Sequence, residues 1–395
     1  MTVTVIGLDR QGLPPGAGSV LAQARLVVGP KHQLDRHVTP DKETLDSSGG
    51  LPIDEVAHAV GPTVLLVSGD PGHFGDLRAL RARKLDVIVW PTVTDVQRMA
   101  ALVRRPWDDI TVVSGRGRDF QQAVNVCRAR QAVAVLTAPG AGPAELAREL
   151  HGWRRNIAVL EQVGTPAERL SILDVTEAER RSWQEPNLVL CLASLDGIGD
   201  DSWFSGGPVV PPVDGWALDE SAFATRSGVG IAPQVRALAL AKLAPRPGAL
   251  VWDVCAGSGA IGIESALLGA AVIAVEADSG LCVRIVANAG AHGVDVRLAD
   301  GEPSRVVPTL PRPDAVFVGS SAPEVVRACA GAGAARVVVL VPELDRLGAT
   351  RRALADAGYA VGGCQLSVAD LVELPGDGIG VAPASSTFLL WGVRA

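Results

Sequence analysis

Between residues 249 and 278 two acids and three glycines are spaced as a nucleoside site requires. Asp253 ends the apolar strand ALVWD, Gly257, Gly259 and Gly262 follow in a turn that opens a small-residue helix, and Glu276 ends the next strand, AVIAVE. Glycine lets a backbone approach a ligand closely. A helix start offers free N–H groups and the positive end of a dipole. A carboxylate at the end of the second strand can accept from both ribose hydroxyls.

Two ligands compete for this pattern. The glycine spacing satisfies G-x-G-x-x-G, which fits NAD. A dinucleotide site, however, reaches its first glycine directly from the apolar strand, whereas here Asp253 stands four residues before Gly257. That D-x-x-x-G-x-G form resembles motif I of the Rossmann-like S-adenosylmethionine (SAM) methyltransferases, in which acid and turn hold the methionine end. The resemblance favours SAM. A bare strand–helix turn is the third reading, and Asp253 and Glu276 in register argue against it.

Other elements must position these groups. A chain of 395 residues exceeds one typical core and predicts two or more domains. Hydrophobic residues make up 48 %, enough for a large core, but aromatic residues only 4 %, which argues against a base-stacking platform. A net charge of −7 argues against general binding to nucleic acid or an anionic membrane, while leaving room for a basic pocket that takes an acidic small molecule. No apolar segment has the length of a membrane span, and no basic region followed by a long apolar run marks the N-terminus. Cys127, Cys191, Cys255, Cys282, Cys329 and Cys364 are scattered without a C-x-x-C pair, and the six histidines show no ligand spacing. Reduced thiols, no metal and a cytoplasmic location are expected.

From residue 1 to about 195, strands are expected at 3–8, 63–68, 86–90, 110–114, 132–137, 157–162 and 188–192, with helical patterns such as 76–84 and 143–151 between them. Continuous apolar runs suit mainly parallel strands buried on both faces. The stretch 39–52 reads as an exposed loop. Residues 196–222 are dense in Gly, Pro and Asp and read as an interdomain linker. Alternation resumes near Gln234. Helices are expected at 234–243, 260–268, 279–290, 323–331 and 345–357, and strands at 249–253, 271–276, 294–298, 314–318 and 335–341. Segments near 359–373 and 386–394 close the domain as an antiparallel pair. The expected class is α/β, with an N-terminal domain over 1–200, a linker over 201–222 and a Rossmann-like domain over 223–395. Ligands of a doubly wound sheet bind at the carboxyl ends of its strands, and Asp253, Glu276, Asp300 and Gly319 all fall there.

The two halves together resemble one family, the fused precorrin-6Y C5,15-methyltransferases (decarboxylating) of cobalamin biosynthesis. In the first half the resemblance lies in VTVIGL, LLVSGDPGHFGDL at 65–77, PTVTDVQRMAALVRRPWDD at 91–109 and VLEQVGTPAERL at 159–170, which are similar to the tetrapyrrole methylases. In the second it lies in VRALALAKLAPRPGALVWDVCAGSGAIGIESA and PRPDAVFVG at 311–319. The resemblance implies a tetrapyrrole-methylase-like αβα domain followed by a SAM methyltransferase domain, each with its own SAM. It implies a polycarboxylate precorrin substrate. One half would methylate one meso carbon. The other would methylate a second and support loss of CO2 from an acetate side chain. Gly69, Asp70 and Pro71 would belong to the N-terminal SAM loop, and Asp253, Gly257, Gly259, Glu276, Asp300 and Gly319 to the C-terminal SAM site. An electron-rich ring carbon can attack a sulfonium methyl directly, so the enzyme mainly supplies alignment. Arg226 and Arg236 are candidates to pair with substrate carboxylates; a homo-oligomer is expected.

Five stretches depart from the family's pattern. The first loop, commonly G-x-G-P-G-G, reads Gly7-Leu8-Asp9-Arg10-Gln11-Gly12. S-x-H-G-R becomes Ser114-Gly115-Arg116-Gly117-Arg118, and T-K-x-x-V-R becomes Ile231-Ala232-Pro233-Gln234-Val235-Arg236. G-G-G becomes Gly319-Ser320-Ser321, and N-A-V-T-x-E becomes Leu340-Val341-Pro342-Glu343-Leu344. These departures keep two alternatives open: a SAM methyltransferase for another small molecule, and a SAM-binding protein with one or both halves inactive. Single residues also carry plainer readings. Asp70 suits an Asx turn, Asp300 a helix cap, Glu161 a structural carboxylate, Glu264 packing, Cys255 a spacer and His73 a backbone hydrogen bond.

Overall fold

The computed structural model describes residues 2–9, 12–116, 119–195, 215–225, 230–382 and 385–394. The N-terminal half holds two five-stranded sheets. The first comprises β1 (Thr2–Leu8), β2 (Leu26–Gly29), β3 (Glu43–Asp46), β4 (Thr63–Ser68) and β5 (Asp86–Trp90), in the order β3-β2-β4-β1-β5 and parallel throughout. The second comprises β6 (Thr111–Ser114), β7 (Ala132–Leu136), β8 (Asn156–Glu161), β9 (Arg169–Asp174) and β10 (Asn187–Leu192), in the order β6-β7-β10-β8-β9. Only β6 and β7 run parallel there. The expectation of mainly parallel strands therefore fails for this sheet. β7, β8 and β10 are buried on both faces, so their unbroken apolar runs carry no mark of direction.

The C-terminal half is one seven-stranded sheet in the order β13-β12-β11-β14-β15-β19-β16. Its strands are β11 (Leu250–Val254), β12 (Ala271–Glu276), β13 (Arg297–Asp300), β14 (Ala315–Val318), β15 (Arg336–Val341), β16 (Ala360–Val368) and β19 (Ser385–Val393). β11 to β15 run parallel, and β19 lies antiparallel between β15 and β16. The expected closing pair is thus present. Between its strands stands a hairpin, β17 (Leu371–Leu374) and β18 (Gly378–Val381), on which Leu371 and Ile379 are each 73 % exposed. β3, in the stretch read as a loop, is a short polar edge strand without an apolar run. Nineteen of the residues read as linker, 196–214, lie outside the described residues; Glu220–Ala222 form a single 3-10 turn.

The halves meet across a packed face. Trp153 is buried in a cluster with Leu250, Trp252 and Ile273 of the C-terminal sheet. Arg155, with no exposed side-chain surface, donates to Asp295 Oδ2 at 2.5 Å and also to the carbonyls of Cys127 and Arg128. Asn125 Nδ2 donates to the Gly248 carbonyl at 3.0 Å.

Candidate functional site

The carboxyl ends of β11, β12, β13 and β14 form one rim, which gathers Asp253, Gly257, Gly259, Glu276, Asp300 and Gly319. The turn after β11 is tied to β12 by Cys255 N and Ala256 N, both donating to the Val275 carbonyl. Cys255 takes a left-handed conformation, and Gly259 (φ 80°) makes the same turn of the chain at the start of helix Ala260–Leu267. Gly319 is demanded by close approach: a Cβ there would lie 2.5 Å from the Cys255 carbonyl oxygen.

Asp253 is 1 % exposed. Its Oδ2 accepts from Gly262 N at 2.8 Å, and its Oδ1 is buried with no partner. Burial pushes its pKa up to about 7, against the pull of the Gly262 N–H and with a further push from the Glu276 carboxylate. Burial likewise raises the Cys255 thiol to about 11, which removes it as a nucleophile. Glu276 braces the turn: Oε2 accepts from Gly257 N at 2.9 Å, and Oε1 accepts from Ala277 N and Asp278 N. Each carboxylate oxygen keeps further acceptor capacity. Asp300, opposite Glu276 in register, is exposed and lies 3.8 Å from the Cys282 thiol. The residues therefore fit a nucleoside that carries a cationic amino-acid tail. Asp253 Oδ1 is the acceptor left to meet such a tail, and the two outer carboxylates would offer acceptors to the nucleoside.

Arg236 is corrected. It is 1 % exposed and lies inside the domain: Nε donates to Glu264 Oε1 at 3.3 Å, Nη1 to the Ile231 carbonyl and Nη2 to the Leu218 carbonyl. Glu264 Oε1 also accepts from Leu218 N. The pair fastens residues 218 and 231 to the domain, and no guanidinium edge is left for a substrate. Arg226 lies outside the described residues. Asn288, not singled out from the sequence, joins the Ala224 backbone to the Ser258 carbonyl of the glycine turn. No spacing rule marks such an amide.

In the N-terminal half Gly69, Asp70 and Pro71 follow β4. Asp70 Oδ1 accepts from Gly72 N at 2.8 Å, an Asx turn, and Oδ2 accepts from Thr92 N at 3.1 Å. Thr92 in turn donates its hydroxyl to Asp9 Oδ2 at 3.0 Å. The loops after β1, β4 and β5 are thus tied together. A cleft of about 450 Å³, lined by Asp9, Leu13, Pro14, Thr92, Val93 and Gln97, opens beside them. Asp95, also missed from the sequence, faces Gly69; burial raises its pKa, and Arg116 and Arg98 oppose the shift. Burial lowers that of His73, opposed by Asp70 and Asp95. Glu161 is buried between Arg169, Arg181 and Gln184 N, a structural role. Arg10 and Arg118 lie outside the described residues. Among the described residues no group of three or more His, Cys, Asp or Glu could hold a metal ion, and no helix is long and apolar enough to cross a membrane.

The family model for tetrapyrrole (corrin/porphyrin) methylases matches residues 3–179, and that for the precorrin methyltransferase domain matches 227–366. A Sinorhizobium protein named precorrin-6Y C(5,15)-methyltransferase [decarboxylating] is 30 % identical over 337 residues, 82 % of this chain and 79 % of that protein. The chain belongs to this family. As a member of the precorrin-6Y methyltransferases it is an enzyme with two methylase halves in an α/β fold. A Pyrobaculum calidifontis relative, named probable cobalt-precorrin-6B C(15)-methyltransferase (decarboxylating), is 32 % identical over 145 residues, 34 % of this chain and 74 % of that protein. The solved C-terminal domain of precorrin-6Y C5,15-methyltransferase from Rhodobacter capsulatus is 27 % identical and covers 45 % of this chain and 97 % of that one, with a TM-score of 0.41.

Proposed function

We propose that the chain uses SAM to methylate two ring carbons of a precorrin and to remove one acetate carboxylate as CO2, in cobalamin biosynthesis. Its units are residues 1–200 and 223–395, joined by the linker 201–222, and each binds one SAM. When bound, SAM supplies an electrophilic methyl group. Asp253 pairs with its ammonium group, Glu276 accepts from the ribose hydroxyls, and Asp300 accepts from the adenine amino group. Gly257, Gly259 and Gly319 leave the space. Gly69, Asp70 and Pro71 serve the N-terminal site, and Arg226 is proposed to meet a substrate carboxylate. The C-terminal half is the decarboxylating one. Its shorter relative, about three quarters of which aligns, carries that activity in its name.

The observation that carries the cofactor reading is Asp253 Oδ1, buried and unpartnered at the head of the glycine turn. A buried acceptor left unmade is costly, and a cationic ligand would satisfy it. The exposed apolar side chains of the β17–β18 hairpin support a homo-oligomer. Free thiols support a reducing, cytoplasmic location. Calorimetric titration of SAM into the full chain tests the reading, with two sites expected. One site would mean that the Asp9 loop has lost the N-terminal cofactor, and no binding would remove the catalytic reading altogether.

A further inference from the structure

The strand order of the C-terminal sheet reverses between β11 and β14, so the crevice opens there. The nucleoside acceptors Glu276 and Asp300 lie on β12 and β13, to one side of that point. The side left for a reacting molecule is over β14 and β15, which are parallel neighbours. Two of the departures from the family pattern meet on this side. Ser321, two residues past Gly319, donates its hydroxyl to Glu343 Oε2 at 2.6 Å. Ser321 is 9 % exposed, while Glu343 is open to solvent. The preceding Ser320 hydroxyl hydrogen-bonds Cys255 of the glycine turn, so two consecutive residues of one loop reach the turn and Glu343. A solvated surface pair is the ordinary explanation of an exposed carboxylate. It does not account for a mostly buried serine holding that carboxylate at the rim, or for two altered loops that contact each other through their altered residues.

The chemistry of the reaction needs a group of this kind. Methyl transfer to a conjugated ring carbon that carries hydrogen forms a C–CH3 bond as the methyl–sulfur bond of the sulfonium donor breaks; the ring carbon then loses its hydrogen as one proton. Loss of CO2 from a –CH2–COO⁻ arm breaks a C–C bond, and the carbon takes up one proton as CO2 leaves, becoming –CH3, so CO2 release waits on a proton donor. One step yields what the other consumes, so no further reactant enters and the enzyme ends in its starting state. We propose that Glu343, held by the Ser321 hydroxyl, carries this proton: it accepts the hydrogen lost from the methylated carbon and returns it to the carbon that loses CO2. Ser321 is a positioning residue. The assignment rests on the reading above that the C-terminal half both methylates and decarboxylates.

The test uses the full chain, SAM and the precorrin substrate, and reads CO2 released per methyl transferred together with product mass. In Glu343→Gln, CO2 release should fall about 100-fold, the scale of a lost acid–base group. A methylated product that still bears its carboxylate should accumulate, and SAM affinity by calorimetry should stay at the wild-type value. Glu343→Asp should recover part of the loss. Ser321→Ala should lower the ratio about tenfold, the loss of one hydrogen bond to a charged group; a purely structural serine would change both products together. An unchanged CO2-to-methyl ratio in Glu343→Gln, or an equal fall of both, overturns the assignment. A wild-type enzyme that methylates without releasing CO2 overturns the functional reading itself.

Discussion

Replacing Asp253 by Asn should make the C-terminal half more stable and its SAM site weaker. Asp253 holds its proton up to about pH 7 in the folded chain, against a usual value of 3.8. Between those two values the folded state keeps a proton that the unfolded state has lost, so stability falls as pH rises through that window. Above it the full cost stands. The shift of about 3 units, at 1.36 kcal/mol each, amounts to about 4 kcal/mol. Asn has no charge to desolvate and its amide oxygen can still accept from Gly262 N. Without SAM, Asp253→Asn should therefore gain up to about 4 kcal/mol at pH 8 and nearly nothing at pH 4. Urea unfolding of the full chain at both pH values, following the C-terminal transition, measures this. Other buried acids such as Glu264 are common to both proteins and cancel in the difference. Ligand binding should move the opposite way. A cationic tail binds the ionised carboxylate, so wild-type affinity should fall about tenfold per unit below pH 7 and binding should release a proton. The Asn variant should lose about 1.5–3 kcal/mol of affinity at pH 8 and show no such pH dependence. A variant no more stable than wild type at pH 8, or one stabilised equally at pH 4, would refute the argument that an unpaired buried charge sits here.

Two further outcomes test the same domain. Gly319→Ala drives a methyl group toward the Cys255 carbonyl, which is backbone and cannot step aside. It should cost about 1–3 kcal/mol in thermal unfolding and weaken SAM binding in calorimetry. Arg236→Ala leaves Glu264 buried without its partner. It should destabilise the fold by about 3–5 kcal/mol. Charge reversal of an exposed substrate-binding arginine would instead spare stability and raise KM.

The rim that carries the candidate C-terminal site was legible because its parts are local. Asp253, three glycines and Glu276 occupy one β-turn-α-β unit, and register alone brings Asp300 and Gly319 to the same rim. Arg236 misled because sequence shows an arginine near a cleft but not Glu264 one helix away, which draws it inward. Ser321 and Glu343 each stood out as departures, but their contact depends on two strands 22 residues apart pairing in parallel. In the first half the strands at 26–29, 43–46 and 169–174 escaped notice. β3 and β9 lie at sheet edges with polar or alternating faces, and β2 is only four residues long. Direction in the second sheet was unreadable, since burial on both faces erases the alternation that marks an antiparallel strand.

The contact through Trp153 has a temporal side. The first half leaves the ribosome before the sheet that covers Trp153 exists, and at roughly 5–20 residues per second the gap lasts about ten seconds or more. During that interval an indole and the buried guanidinium of Arg155 face water or a chaperone. Because both halves share one polypeptide, the covering surface arrives tethered, at an effective concentration on the order of millimolar. Two separate chains would have to find each other at cellular dilution, with that patch exposed meanwhile. Fusion thus protects the nascent first half and fixes the two methylating activities at equal copy number.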